Sequence, residues 1–253
     1  MYKNIIDDFN AEEQIFYNDT YLFIKGYATG RNFVQTLKAL PLARKFHNGQ
    51  YRKAIITVDG EDYKLPYVLH VLKVCSTLMS LELPLEHDEL DVLFASALLH
   101  DCIEDCDEFK SSQNAEQTML SYGLTKEVYD CVNTVSKMSG CSDEQLNAYF
   151  NKIKLNKLTL LIKLADRSHN VEDLYNMKTE KLHKYVNETR TWIYPLATYG
   201  KANYPELSNG ITILKSKIVS LTECTETIVD MYEAVIREKD AEIERLKTTF
   251  KNA

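Results

Sequence analysis

Glycine and proline are scarce in this chain of 253 residues, with 8 and 5 copies. So few breakers force few turns, and long helices with short connections are the expectation. No apolar run approaches the roughly 20 residues that a membrane span needs. The opening MYKNIIDDFNAEEQ lacks the basic-then-apolar pattern of a secretion signal. The 6 cysteines, at 75, 102, 106, 131, 141 and 224, include no CxxC pair and no zinc-finger spacing. They read as reduced thiols of a cytoplasmic protein. The nearest pair, Cys102 and Cys106, lies one helical turn apart and reads as packing. Positive charge is also in deficit, 30 Lys and Arg against 37 Asp and Glu, a formal net charge of -7. That field disfavours nonspecific nucleic-acid binding. A small anionic substrate stays open wherever positive charge is concentrated. Arg44, Lys45, Arg52 and Lys53 form one such concentration, with a solvated basic face as the competing reading.

What is present points to a globular chain: 45% hydrophobic residues without biased repeats. The length fits one large domain or one domain with appendages. Residues 1–35 are rich in Tyr and Phe with weak periodicity, and predict one or two short helices with a turn near Gly26 to Gly30. Helical spacing follows over Phe33 to His47, Tyr67 to Leu81 and Leu90 to Cys106. It continues over Ala115 to Tyr122, Lys126 to Ser136, from Ser142, Lys157 to Met177, and Lys181 to Thr198. Gly123 is a C-cap signal and Ser142-Asp143-Glu144-Gln145 resembles a capping box. Between Ile55 and Leu65, β-branched and apolar residues flank Asp59-Gly60, a two-residue hairpin signal. Residues 211–250 hold no proline or glycine, and Val229, Tyr232, Ile236, Ile243, Leu246 and Phe250 keep a/d spacing, with Lys239 the exception. An earlier seam through Ile211, Leu214, Ile218 and Leu221 is out of phase, as at a stutter. The fold class is therefore all-α, a helical bundle with one small β-hairpin and a long C-terminal helix. That helix either self-associates into a homo-oligomer or folds back on its own domain.

The strongest chemical signal is LLHDCIED, residues 98–105. An apolar helical run ends in His100-Asp101, and Glu104-Asp105 follows one turn later. Burying such groups unpartnered costs several kcal/mol. A divalent ion offsets that cost, because imidazole and carboxylate are its natural ligands. A surface-exposed helix end is the competing reading. LIKLADRSHN repeats the pattern: an apolar run delivers Asp166, then Asn170 one turn later. His70 sits inside the apolar LPYVLHVLKV, where a lone histidine is more often a core residue. Taken together, His70, His100, Asp101 and Asp166 supply nitrogens and oxygens that suit an octahedral ion such as manganese, with positions left for water.

The order His…His-Asp…Asp resembles that of the HD metal-dependent phosphohydrolases. More closely, ARKFHNGQYRK (43–53), PYVLH (66–70), ALLHDCIED (97–105), YGLTKEVYDCVNTVSK (122–137), IKLADRSHN (162–170) and ETRTWIYPLA (188–197) resemble the hydrolase domain of RelA/SpoT proteins and small alarmone hydrolases. The resemblance covers roughly residues 37–200. It implies an HD-domain bundle at 37–204, with a 1–36 N-terminal extension and a 205–253 C-terminal helical extension. It further implies manganese-dependent hydrolysis of the 3′-pyrophosphate of (p)ppGpp-like alarmone nucleotides. By similarity His70, His100, Asp101 and Asp166 match the metal ligands, and another divalent metal is the alternative to Mn2+. Glu104 and Asp105 match the acidic pair that orients the attacking water. Arg52 and Lys53 match the pair flanking the purine, and Asn170 a nucleotide contact.

Three departures stand out. The ITVDGEDYKL hairpin is inserted between the Arg-Lys pair and the Tyr–His segment, placed to edge the pocket. Val71 replaces the customary proline after the metal histidine. Glu172-Asp173 stands where the family usually has Arg-Thr. Asp173 would accept from guanine N1–H and N2–H2, yet it adds negative charge near a polyanion. An adenosine alarmone or another phosphorylated ribose is therefore the alternative substrate, and an idle nucleotide-sensing or interaction module the alternative from another class. No synthetase half is visible after residue 200, so hydrolysis without synthesis is expected.

Overall fold

Two of the most apolar stretches of the chain become its central helices. The computed structural model describes residues 11–58, 61–110, 114–137, 140–176 and 178–251. Its first elements are α1 (Ala11–Arg31), α2 (Val34–Phe46), the strands β1 (Tyr51–Val58) and β2 (Glu61–Pro66), α3 (Val68–Met79) and α4 (His87–Leu99). The short helices α5 (Cys102–Asp105), α6 (Asp107–Lys110) and α7 (Ala115–Ser121) follow, then α8 (Lys126–Val135), α9 (Asp143–Ile153) and α10 (Lys157–Asn170). After α11 (Thr179–Glu188) and α12 (Tyr194–Asn203), the 44-residue α13 (Ser208–Lys251) completes the chain order.

In α4, Leu90 and every residue from Leu93 to Leu99 are buried. In α10, Leu158 and every residue from Leu160 to Ile162, then Leu164 and Ala165, are buried too. A helix that is apolar nearly all round belongs inside a core. Accordingly α2, α3 and α8 pack on α4, while α3, α8, α12 and α13 surround α10. Each buried Leu or Phe contributes about 1.5–3 kcal/mol relative to exposure. Polar groups fix the relative placement. The first residues of α2 lack a local side-chain cap, and Asp91 of α4 supplies one by accepting from the Gln35 and Thr36 backbone N–H groups at 2.8 and 2.7 Å.

The expected all-helical bundle with one hairpin is what the structure contains. Ser142 and Gln145 form the expected capping box of α9, and Gly123 follows α7 at φ 78°. Three local features differ from the expectation. Residues 11–31 form one helix that runs through Gly26 and Gly30, because Tyr17, Ile24 and Ala28 bury one face and so override the helical cost of glycine. The strand β1 starts at Tyr51, so Arg52 rides on the hairpin; Val58 stands opposite Glu61, and Asp59-Gly60 between them lies outside the described residues. Finally, the helix expected over Leu90 to Cys106 breaks at His100-Asp101 and resumes as α5.

The base of α10 is clamped by a buried cation. Arg167, 4% exposed, donates to Glu188 at 2.6 Å and Thr189 at 3.0 Å, and its guanidinium lies 4.1 Å from the Tyr185 ring centroid. Replacing one partner of a buried pair leaves the other uncompensated. Arg167→Ala is expected to lower unfolding free energy by about 3 kcal/mol, the lower end for such pairs because Glu188 keeps some contact with water. Urea denaturation of the two proteins measures it.

Candidate metal centre and active site

Three helices deliver the four candidate ligands to one place. His70 lies in the first turn of α3, His100 caps α4 with Asp101 at the following bend, and Asp166 comes from the last turn of α10. The Nε2 atom of His70 is 3.2 Å from Asp166 Oδ1 and 3.5 Å from Asp101 Oδ2. Nε2 of His100 is 3.0 Å from Asp101 Oδ2 and 3.7 Å from Asp166 Oδ1. Both Nε2 atoms are buried, and neither makes a hydrogen bond. Orphaned buried nitrogens are costly. Their spacing to the carboxylates is close to the about 3 Å that separates neighbouring ligands at right angles around an ion with bonds of about 2.1 Å. The residues fit a divalent ion.

The outer partners favour the same state. Nδ1 of His100 faces the Ala97 carbonyl at 2.8 Å, so Nδ1 carries a proton and, in the neutral ring that a metal ion requires, the Nε2 lone pair points inward. His70 uses its Nδ1 on Nδ1 of His169 at 2.7 Å. Burial, with help from the His70 and Arg52 charges, pushes His169 down to about 2, so its ring is neutral and free to accept. Tyr67 donates to Asp101 Oδ2 at 2.6 Å, and Lys163 and Asn170 donate to the two oxygens of Asp166 at 3.1 and 2.5 Å. Burial alone would raise both carboxyl groups. The imidazoles outweigh it at Asp101, as does Lys163 with the imidazoles at Asp166, and both acids are held well below the usual range. Burial likewise works against a charged His100, but the Asp101 and Asp166 carboxylates outweigh it and raise the ring.

The remaining candidates divide. Glu104 is half-buried and accepts from the Lys137 backbone N–H. Burial pushes it up to about 7 against the pull of that N–H and of Lys163. Asp105 is exposed at the end of α5. On the hairpin side Arg52 donates to Asn170 at 2.8 Å and to Asp173 at 2.5 Å, with its guanidinium 5.8 Å from the Tyr67 ring centroid. Three of the candidate substrate contacts are thus joined, and the charge of Asp173 is balanced by Arg52. Lys53 lies on β1, but its side chain is outside the described residues. The basic concentration divides its partners: Lys45 meets Glu108 at 3.7 Å and the Tyr122 hydroxyl at 2.7 Å, whereas Arg52 meets Asn170 and Asp173.

Sequence reading passed over Tyr67, Lys163 and His169. Two of them had a signal, since Lys163 and His169 lie three residues to either side of Asp166, on one face of α10. Tyr67 shows only in the fold.

No protein-family model matches the chain. A Myxococcus xanthus protein named GTP pyrophosphokinase is 33% identical over 169 residues, 63% of this chain and 20% of that protein. A Vibrio cholerae guanosine-3′,5′-bis(diphosphate) 3′-pyrophosphohydrolase is 32% identical over 162 residues, 62% of this chain and 20% of that protein. The match thus spans about a fifth of the length of these curated relatives. Among solved structures, one described as a metazoan ortholog of SpoT that hydrolyzes ppGpp aligns with a TM-score of 0.53 at 21% identity, over 75% of this chain and 94% of that one. Among the described residues no helix is long and apolar enough to cross a membrane. In sequence and in fold, therefore, this chain resembles the hydrolase region of the RelA/SpoT proteins.

Proposed function

We propose that the chain is a metal-dependent phosphohydrolase that removes the 3′-pyrophosphate of a (p)ppGpp-like alarmone nucleotide. The observation that carries this reading is the pair of orphaned, buried Nε2 atoms of His70 and His100 facing Asp101 and Asp166. These four residues would hold a divalent ion, with Mn2+ as our choice because two nitrogens and two oxygens leave octahedral positions open. Such an ion supplies Lewis acidity, lowering the pKa of water toward neutrality and screening phosphate charge.

The chain's own residues then divide the labour. Glu104 accepts the proton of the attacking water, and Asp105 orients that water from the solvent side. As the water oxygen bonds to the 3′ phosphorus, the bond to the ribose 3′-oxygen breaks, that oxygen takes up a proton from solvent to become a hydroxyl, and the hydrated group is released as pyrophosphate. Arg52, with its planar cation, lies flat against the purine while Lys53 flanks it. Asn170 and Asp173 hold Arg52 in place and contact the nucleoside, and the paired charge of Arg52 and Asp173 keeps the pocket from repelling a polyanion. We place the chemistry in residues 37–204, with 1–36 and 205–253 as extensions. Hydrolysis without synthesis is part of the reading, since the residues brought together at His70, His100, Asp101 and Asp166 are suited to hydrolysis. Incubation with Mn2+ and a panel of guanosine and adenosine alarmones, followed by product identification, tests it. Pyrophosphate release from (p)ppGpp is the expected result; orthophosphate release from another nucleotide, or no turnover, overturns it.

Self-association through α13 belongs to the same reading. The helix is buried on the domain at Ile211, Leu214 and Ile218, but further on Tyr232, Ile236 and Ile243 are 69%, 57% and 47% exposed at a/d spacing. A second copy of the seam would cover them in a homo-oligomer. Removing residues 229–253 is expected to convert a dimer to a monomer in light scattering and to leave turnover unchanged. A monomeric full chain would reject the idea.

A further inference from the structure

Besides the candidate active site, the described residues hold a second buried cluster of metal-ligating side chains: His47, Cys102 and Cys106. All three are essentially sealed from solvent, at 2%, 0% and 1% exposure. One ligand atom from each lies within 4.8 Å of the others. Cys102 Sγ stands 3.6 Å from Nε2 of His47, and Cys106 Sγ stands 3.7 Å from Nδ1. Spacing could not reveal this cluster, because His47 comes from the end of α2 whereas Cys102 opens α5 and Cys106 caps it.

The imidazole is held in the manner of a metal ligand. Its Nδ1 lies 2.7 Å from Gln50 Oε1, and an amide oxygen can only accept. The proton is therefore on Nδ1, and Nε2 presents its lone pair toward Cys102. Gln50 is itself fixed, its Nε2 donating to the Asp105 carbonyl at 2.8 Å. A ligating histidine whose other nitrogen is tied to an oriented oxygen is the usual outer-shell arrangement.

We propose that His47, Cys102 and Cys106 form a second metal site, for a thiophilic d10 cation of the zinc type. Two sulfurs and one nitrogen select a soft ion, whereas the mixed nitrogen and oxygen set at His70, His100, Asp101 and Asp166 suits a harder one. Charge favours occupancy of so buried a place. As each thiol binds, its proton leaves to solvent, and two thiolates with a neutral imidazole cancel a dication. The site braces chemistry without taking part in it, because Cys102 follows Asp101 and Cys106 follows Asp105. A filled site ties the end of α2 to the turn that carries the acidic residues.

Cobalt(II) tests the site in the full chain, stripped with chelator and kept reduced with a phosphine. Expected are two bound equivalents, one of them with intense thiolate-to-cobalt charge-transfer absorption that zinc abolishes. The Cys102→Ser/Cys106→Ser double variant loses that absorption and one equivalent, while Asp166→Asn keeps the absorption. Gln50→Ala weakens the thiolate site about 10- to 100-fold. Absence of the charge-transfer band in the unaltered chain, or its persistence in the double variant, overturns the proposal.

Discussion

Asp101→Ala is expected to abolish ion binding at the candidate centre and turnover together. Asp101 Oδ2 is 3.0 Å from His100 Nε2 and 3.5 Å from His70 Nε2, so it stands between both orphaned nitrogens. Removing it takes away an anionic ligand and leaves two imidazoles with one carboxylate, a set too poor in negative charge for a hard dication. The loss of affinity should exceed the about 10- to 100-fold that follows loss of an outer-shell partner. The fold should survive, since Asp101 lies at a bend, its backbone carbonyl keeps the Asp105 N–H, and the Tyr67 hydroxyl that donates to its carboxylate costs only about 1–3 kcal/mol when left unpaired. Manganese titration calorimetry beside circular dichroism separates the two effects. A folded variant that still binds manganese at this centre and still turns over would remove Asp101 from the ligand set.

How far the sequence foretold this arrangement differs from element to element. Helices with strong apolar periodicity were legible, as was the hairpin around Asp59-Gly60, because both signals are local. The convergence of His70, His100, Asp101 and Asp166 was legible only through motif order, since nothing local brings α3, α4 and α10 together. The break at His100-Asp101 was hidden: the apolar run predicts a continuous helix, while long-range partners such as Tyr67 hold Asp101 at the bend. Glycine misled in α1, where burial of Ile24 and Ala28 outweighs the cost at Gly26 and Gly30. Pairings such as His70 with His169, or His47 with Cys102, join residues far apart in the chain and have no signature in spacing.

Glu104→Gln is the complementary case, with turnover lost and the ion retained. Among the described contacts Glu104 touches no candidate ligand side chain; its carboxylate meets the Lys137 backbone N–H. A general base contributes about 10²- to 10⁴-fold, so turnover should fall by that factor at saturating manganese while calorimetry shows unchanged affinity. Burial pushes Glu104 up to about 7, and the base works only when ionised. Turnover of the unaltered chain should therefore climb with pH on the acid side, with a midpoint at or below about 7, because a bound dication favours the ionised form. The glutamine variant should lose that limb. Stability carries the opposite sign. The folded value lies above the ordinary 4.5, so the favourable protonated state is fully present below 4.5 and is lost as pH rises through about 7. Above that pH the metal-free glutamine variant, which has no buried charge at this position, should resist urea better than its parent. Full turnover in the variant, or an acid limb that persists without the carboxylate, would pass the role of base to Asp105.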